Sequence, residues 1–569
     1  MQVLSKAMMV VTMLVAIALS VPSQAKDRLV VGIAQFPGNL HPYIGAQTVQ
    51  SYTVGFSLRP ITAYDVNGRI VCLLCTEAPT LDNGLAKREG RPDGSQGLAV
   101  TIKLKPGLMW GDGVRLTARD IAFTWKVGHD PNAGFANSHP WARASGVDVV
   151  DEQTAVLHLD RTVTSFALWD HVLPEHVEGP IWDAAKGPGE YINHTLYNRE
   201  PTNPGLWNGP FVVSGYQSNA SVDFSPNPYW TGASLGLKGI SLRLLENTAA
   251  LQANLLSGDV DMTPAGIGLS IDQAVALQKQ YAEQFRFIFK PQLSYEHIDV
   301  QLSNPMLQSR QVREALLRGI DVKSIVDRLF GGYGDIARSF INGLDQHYIA
   351  DVPTYPYDPV RARALLEETG WKPGPDGIRR NDKGERLSFE FATTSGNRVR
   401  ELTQQVMQSQ WKAIGLEVSI KNQPSRTFFG QLLKKREFTG LAEYASTLEV
   451  DLVPWARLST TYIPAEANNW GGQNYAGISD KRLDADIEAA QYELDPVKQQ
   501  ALWADMQRIY ATELLALPLY FRVDPDILPR GLRATRQPAR RPTRRTGPRI
   551  GGRDRVAERQ GQDASAQCV

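Results

Sequence analysis

Beyond its first 25 residues the chain lacks any apolar run long enough to cross a membrane, and the run near its start, Ala7 to Leu19, is short for a span. Lys6 precedes that run and Ser23-Gln24-Ala25 follows it, with small residues at the cleavage-determining positions, so Met1 to Ala25 reads as a secretory signal peptide. The residue directly after the cleavage point is Lys26 and not cysteine, which disfavours a lipid anchor. The expectation is a freely soluble protein of the Gram-negative periplasm.

Cysteine itself is scarce, at three residues: Cys72, Cys75 and Cys568. One C-x-x-C pair makes no zinc site, and no histidine follows it to make a haem attachment. A disulfide, a redox pair and two small buried residues all stay open for Cys72 and Cys75, with structural roles favoured over redox chemistry. The segment reads as extended, which sets the two side chains too far apart to bridge unless a turn intervenes.

Catalytic motifs are missing too. There is no H-E-x-x-H zinc helix, no G-x-S-x-G elbow, no phosphate-binding G-x-x-x-x-G-K and no dinucleotide fingerprint; Gly266 and Gly268 alone mark a loop. The nine histidines are scattered. His171 and His176 share no helical face and are separated by Pro174, so structural histidines are expected. Glu449 and Asp451 have a spacing that by itself says little about glycosidase chemistry. The chain is expected to be no enzyme and to need no cofactor or metal.

Net charge is zero, from 60 basic and 60 acidic residues, but 11 arginines against 3 acids lie from Arg530 onward. The rest carries 49 basic and 57 acidic residues, and a mildly acidic body gives no sign of nucleic-acid binding. After Phe521 there is no Phe, Trp, Tyr or Lys at all. We hypothesise that the tail from about Leu532 is an altered reading frame or assembly artefact, because its composition cannot form a core; a genuine basic tail is the alternative. Resequencing the end of the gene decides, and an unchanged in-frame sequence removes the artefact reading.

What is present is a chain of 569 residues, 42% hydrophobic and 21% charged, which exceeds one hydrophobic core and requires at least two lobes. Its most informative run is Lys103 to Trp125, KLKPGLMWGDGVRLTARDIAFTW. Ala99 to Leu104 alternate as a strand, Gly111-Asp112-Gly113 supplies a turn, and Thr117 with Asp120 has capping-box spacing, which predicts a helix from Ala118. Ile121 and Trp125 then share a face that docks on the sheet.

Gly107, Trp110, Asp112-Gly113, Thr117-Ala118, Asp120 and Phe123 form a long ordered pattern. In it the chain resembles the extracytoplasmic solute-binding proteins of ABC transporters, of the peptide- and nickel-binding class. The resemblance implies an α/β, two-lobe periplasmic-binding-protein fold (type II-like) with an extra subdomain in the first lobe, and it makes this segment scaffold rather than ligand site. VLPEH (Val172 to His176), LWNGPF and DFSPNPYW (Asp223 to Trp230) resemble further landmarks of that family.

The remaining elements follow in order. Arg28 to Ala34 reads as a buried strand; Val147 to Val150 and Ala155 to Leu159 as a hairpin; Ala253 to Met262 as a helix end stopped at Gly258 before a strand. Arg310 to Phe340 reads as two helices with a Gly-rich stop, and Tyr357 to Trp371 as a helix with Asp358 as N-cap, Pro359 first and Gly370 last. Leu387 to Ala392, Val399 to Ile414 and Leu416 to Ile420 make a β-α-β unit, and a helix from Pro496 to Leu514 leads into a return strand. With the resemblance, this divides the chain into a signal peptide (1–25), first lobe (26–66), extra α/β subdomain (67–204), first lobe again (205–295), second lobe (296–517), return strand (518–531) and an Arg, Pro and Gly-rich tail (532–569).

A protein that takes peptides of varied sequence must grip backbone amides and charged termini. The resemblance places backbone contacts on Gly45, Ala46, Gln47 and Thr48 in the first lobe and on Tyr444 to Asp451 in the second. Glu449 and Asp451 are candidates for the ligand ammonium, with a solvated surface role as the alternative. Arg398 and Arg400 are candidates for its carboxylate, against the common reading of exposed helix arginines. Asn468, Asn469, Trp470 and Tyr475 form a polar-aromatic, Gly-rich loop suited to a cleft wall or to a surface turn. The expected function is capture of a peptide-like small solute by a monomer that hands it to an inner-membrane ABC permease with a cytoplasmic ATPase. An opine, oligosaccharide or nickel complex as solute, a secreted hydrolase, and a module that signals ligand to a membrane receptor are the alternatives.

Overall fold

The computed structural model describes residues 27–44, 47–65, 69–91, 96–133, 140–187, 189–233, 236–245, 247–448, 453–468, 470 and 472–532. The signal peptide and almost all of the basic tail lie outside them. Strand β1 (Arg28–Ile33) opens the first lobe and helix α1 (Thr48–Val54) follows. The expected gap between Cys72 and Cys75 is corrected: they form a disulfide, with Cα atoms 5.1 Å apart. The strand Ile70–Cys72 ends at Cys72 and the chain bends through Leu73 and Leu74, so the extension that would have separated the side chains is interrupted.

The subdomain sheet contains β2 (Ala86–Gly90), β3 (Gln96–Lys103), β4 (Ala144–Val149) and β5 (Thr154–Leu159), antiparallel in the order β2-β3-β5-β4. Helix α2 (Ala118–His129) lies between β3 and β4 in sequence and starts where the capping box predicts. Asp120 does more than cap: one carboxylate oxygen accepts from Thr117 N at 2.8 Å, and the other accepts from Glu175 N at 2.9 Å, at the start of α3 (Glu175–Ala184). The preceding turn needs its glycines. A Cβ on Gly111 would lie 2.6 Å from Pro204 O and from Val212 Cγ1, and Gly113 has φ of +88° against the Tyr229 ring. The signature segment packs into the core, with Trp110 and Ile121 wholly buried.

The chain returns through β6 (Phe211–Gln217), β7 (Ser221–Pro226) and β8 (Gly239–Leu244), giving a sheet β1-β8-β7-β6 in which β1 runs parallel to β8 and the rest are antiparallel. This sheet and the subdomain share one core, built around Trp110, Trp141, Trp169 and Trp207. Helix α4 (Thr248–Ser257) stops at Gly258, whose φ is +85°, and α5 (Ile271–Tyr281) follows.

Strand β9 (Phe285–Val300) then runs for 16 residues, up to about 50 Å if fully extended, which is far longer than one lobe requires. It leads to α6 (Arg310–Arg318) and α7 (Val322–Leu329), then to α8 (Pro359–Glu368), where Asp358 accepts from Arg361 N at 2.8 Å. The second-lobe sheet uses β10 (Ser388–Ala392), β11 (Glu417–Ile420), β12 (Leu441–Thr447) and β13 (Leu517–Pro529), in the order β11-β10-β12-β9-β13, with α9 (Arg398–Ala413) connecting β10 to β11. β10 is parallel to β11 and β12, whereas β9 is antiparallel to β12 and β13. One core packs Ile298, Phe389, Phe391 and Leu441 with Trp411 and Leu316; another packs Tyr295 with Trp503 and Tyr510 of α11 (Pro496–Glu513) and Ile487 of α10 (Lys481–Tyr492).

Candidate functional site

β9 and β13 form a ribbon whose two ends sit in different cores. At one end Phe285, Phe287, Phe289 and Ile527 pack with Leu251, Leu255 and Val260 of the α4–α5 region. At the other, Ile298, Leu517 and Leu519 belong to the second-lobe core. Between them the ladder loses register: Pro291 pairs with Val523, the next pair is Tyr295 with Phe521, and a second irregularity falls between Glu296 and His297. A break in a two-strand connection removes ladder hydrogen bonds where the chain passes from one lobe to the other, and this is where bending costs least.

The first-lobe candidates flank this crossing. Gln47 is the N-cap residue of α1 and its Oε1 accepts from Gly38 N at 3.0 Å. Thr48 begins α1, and its Cγ2 lies beside Gly266, which in turn abuts Asp524 of β13. Gly45 and Ala46 lie outside the described residues, as do Glu449, Asp451 and Asn469.

The second-lobe candidates separate into different environments. Arg400 is buried; its Nε and Nη2 both donate to Glu296 at 3.0 Å and its Nη1 donates to Thr394 Oγ1 at 3.1 Å, so its fork is already occupied. Arg398 is exposed and its nearest carboxylate is Asp272 of α5, at 4.0 Å across the lobe junction. Tyr444 is buried and donates to Asp299 Oδ2 at 2.5 Å. Tyr475 is half-buried, 6.2 Å from the Tyr444 ring, with its carbonyl accepting from Arg436 Nε at 3.0 Å. Trp470 holds a φ of +58° and its ring faces Lys435 Nζ at 5.9 Å.

Strand alternation puts two polar clusters back to back on the second-lobe sheet. One contains Glu296, Arg400, Thr403 and Glu443. Glu443 is wholly buried, and its pKa is pushed up to about 8, first by burial and then by the neighbouring Glu296. The other contains Tyr295, His297, Asp299, Tyr444 and Ser446 around a cavity of about 20 Å³, room for about one water. Arg457 donates to Ser446 Oγ at 2.8 Å at that cavity, and His297 Nδ1 is buried without a partner.

Sequence reasoning missed Glu296, Glu443, Arg457 and Asp524. The available signal was charge inside otherwise apolar strands: Glu296 in YEHIDV, Glu443 in LAEY and Asp524 in RVDP. Among the described residues no group of three His, Cys, Asp or Glu is arranged to hold a metal ion, and no helix is long and apolar enough to cross a membrane.

Comparison with known proteins agrees with this architecture. Residues 81–452 match the model of bacterial extracellular solute-binding proteins, family 5 Middle. The oligopeptide-binding protein AppA of Bacillus subtilis is 26% identical over 364 residues, 62% of this chain; the match spans 64% of that relative, just under two thirds of its length. The crystal structure of an oligopeptide binding protein from Thermus thermophilus, complexed with a pentapeptide, is 27% identical with a TM-score of 0.70, covering 89% of this chain and 92% of that one. NikZ from Campylobacter jejuni in complex with Ni(L-His) shares the fold at 19% identity and a TM-score of 0.70, over 90% of this chain and 95% of that one.

Proposed function

Because the chain belongs to the bacterial extracellular solute-binding proteins of family 5, we propose that it captures a peptide-like solute between its lobes and delivers it to an inner-membrane ABC permease driven by a cytoplasmic ATPase. The observation that carries this reading is the β9–β13 ribbon, anchored in two cores and out of register between them, which is suited to hinge closure around a ligand. In this reading the protein works as a monomer in the periplasm, without a cofactor or a turnover step.

In this reading Gly45, Ala46, Gln47 and Thr48 and the run from Tyr444 to Asp451 lie along the ligand backbone. Glu449 and Asp451 approach its ammonium, and Trp470 and Tyr475 wall the cleft. Arg398, exposed at the junction, remains the candidate for the carboxylate; Arg400 acts through Glu296, which occupies its fork.

A second reading keeps the fold and changes the solute to a nickel complex, an opine or an oligosaccharide; the likeness to NikZ favours the nickel complex among these. Native and denatured mass spectrometry of the purified mature protein separates the readings. A mixture of peptide masses lost on denaturation supports the first, and a single non-peptide mass supports the second. Consumption of a peptide mixture by the purified protein would instead point to a hydrolase.

A further inference from the structure

Away from the ribbon, the lobes touch again where the subdomain meets α10. The segment after β5 supplies Arg161, whose Nη1 donates to Tyr492 Oη at 3.0 Å while its guanidinium carbon lies 5.6 Å from the centre of the Tyr492 ring. Three residues on, Thr164 N donates to Gln491 O at 3.4 Å. Both partners stand at the end of α10, where the last carbonyls have no acceptor role left within the helix. In a continued helix Gln491 O would take Asp495 N, but that amide donates to Glu493 Oε1 at 2.8 Å, so the first lobe completes the helix end. Neither side of the contact is loose. Val163 and Phe166 pack against the first-lobe core, and Arg143 holds the segment through Ser165 O at 3.1 Å and Leu168 O at 2.6 Å. Across the junction, Leu483, Ile487 and Ala490 bury α10 in the second lobe, and Gln499 Nε2 donates to Ala490 O at 3.0 Å.

We propose that this contact is a latch, through which the subdomain holds the second lobe in the closed arrangement and slows release of the solute. It rests on the reading that ligand lies between lobes that close on it, and it gives the subdomain a part in retention that the ribbon does not supply. Two firm bodies meet here through groups that are exposed, as Arg161 is, or half-buried, as Tyr492 is, so the contact parts without uncovering much apolar surface. Charge favours its closure. Asp160, the acid adjoining Arg161 in sequence, is paired with Arg91, while Glu488, one turn before Tyr492 on α10, adds a carboxylate to the field at the guanidinium. The negative end of the α10 dipole acts in the same sense. A contact made only when the lobes are together stabilises the closed state alone, and its full strength is then felt in the affinity for solute.

Small-angle X-ray scattering of the mature protein, stripped of co-purified solute and then titrated with a tryptic digest of casein, tests this on the wild type, Arg161→Ala, Tyr492→Phe and the double variant. The proposal expects Arg161→Ala to enlarge the radius of gyration of the stripped protein, or to raise the digest concentration at half-compaction by about three- to tenfold, the worth of an exposed cation–π contact with its hydrogen bond. Tyr492→Phe should act in the same direction and less strongly. The double variant should do no more than Arg161→Ala, because the tyrosine hydroxyl works through the guanidinium already removed. Arg115→Gln, which breaks an exposed subdomain pair with Glu152, should do neither. An Arg161→Ala protein that matches the wild type in both readouts overturns the proposal, as does a double variant with the summed effect of the two single ones. Compaction by the digest that Arg161→Ala leaves unaltered would keep the capture reading and refute the latch. Expansion of the stripped Arg161→Ala protein, in a chain that the digest does not compact, would keep the latch and refute peptide capture.

Discussion

Arg400 and Glu296, 104 residues apart in sequence, meet in a two-pronged ion pair with Nε and Nη2 each 3.0 Å from a carboxylate oxygen. The pair joins α9 to β9, the strand that enters the second lobe. Both side chains are less than one tenth exposed, so neither charge has water as a substitute partner.

Removing one member should therefore cost more than removing both. Arg400→Met or Glu296→Gln is expected to lower stability by about 3–5 kcal/mol, whereas the apolar double variant costs less than either single one. Urea unfolding of the four proteins checks this, and simple additivity would contradict it.

Glu443 makes stability depend on pH. Its folded pKa, about 8, lies above its ordinary value of 4.5, so the native state keeps a proton that the unfolded chain releases in that window. Its contribution is unopposed below the lower value, declines as pH rises through the window and levels off above the upper one. Glu443→Gln keeps a neutral side chain, and its unfolding midpoint should gain on that of the wild type as pH rises from one limit to the other. A constant difference between the two would show that Glu443 does not titrate there.

Asp120 should matter more than an ordinary cap. Thr117→Ala is expected to cost about 1 kcal/mol. Asp120→Ala is expected to cost about 2 kcal/mol or more, because Thr117 N and Glu175 N both lose their acceptor. Thermal melts of both variants test the order, and equal losses would rule out the bridging role.

The Cys72–Cys75 disulfide closes a short loop, with a sequence separation of 3. Loop-closure entropy then gives about 2 kcal/mol, near the low end for disulfides. Reduction should lower the midpoint modestly and leave ligand affinity unchanged, since the bridge lies on neither strand of the β9–β13 ribbon. Loss of binding on reduction would give it a different role.

Local instructions in this chain were legible wherever chemistry and position coincide. Thr117 with Asp120, Asp358 before Pro359, and Gly258 after a helix each fix an element end within a few residues, and each does so in the structure. Long-range partnerships were not legible in the same way. Arg400 follows an N-cap at Asn397 on an amphipathic helix and looks like a surface cation until β9 brings Glu296 to it. Asp524 and Glu443 look like interruptions of apolar strands, and only the sheet order shows that one lies at the lobe crossing and the other beneath α9. The disulfide depended on a two-residue bend that neither Leu73 nor Leu74 announces.

Small-angle X-ray scattering of the mature protein, stripped of co-purified solute and then titrated with a tryptic digest of casein, addresses the central claim most directly. If the β9–β13 ribbon is a hinge that closes on peptide, the radius of gyration falls saturably as ligand is added, in proportion to occupancy measured by mass spectrometry. Peptide binding without any compaction would contradict capture between the lobes.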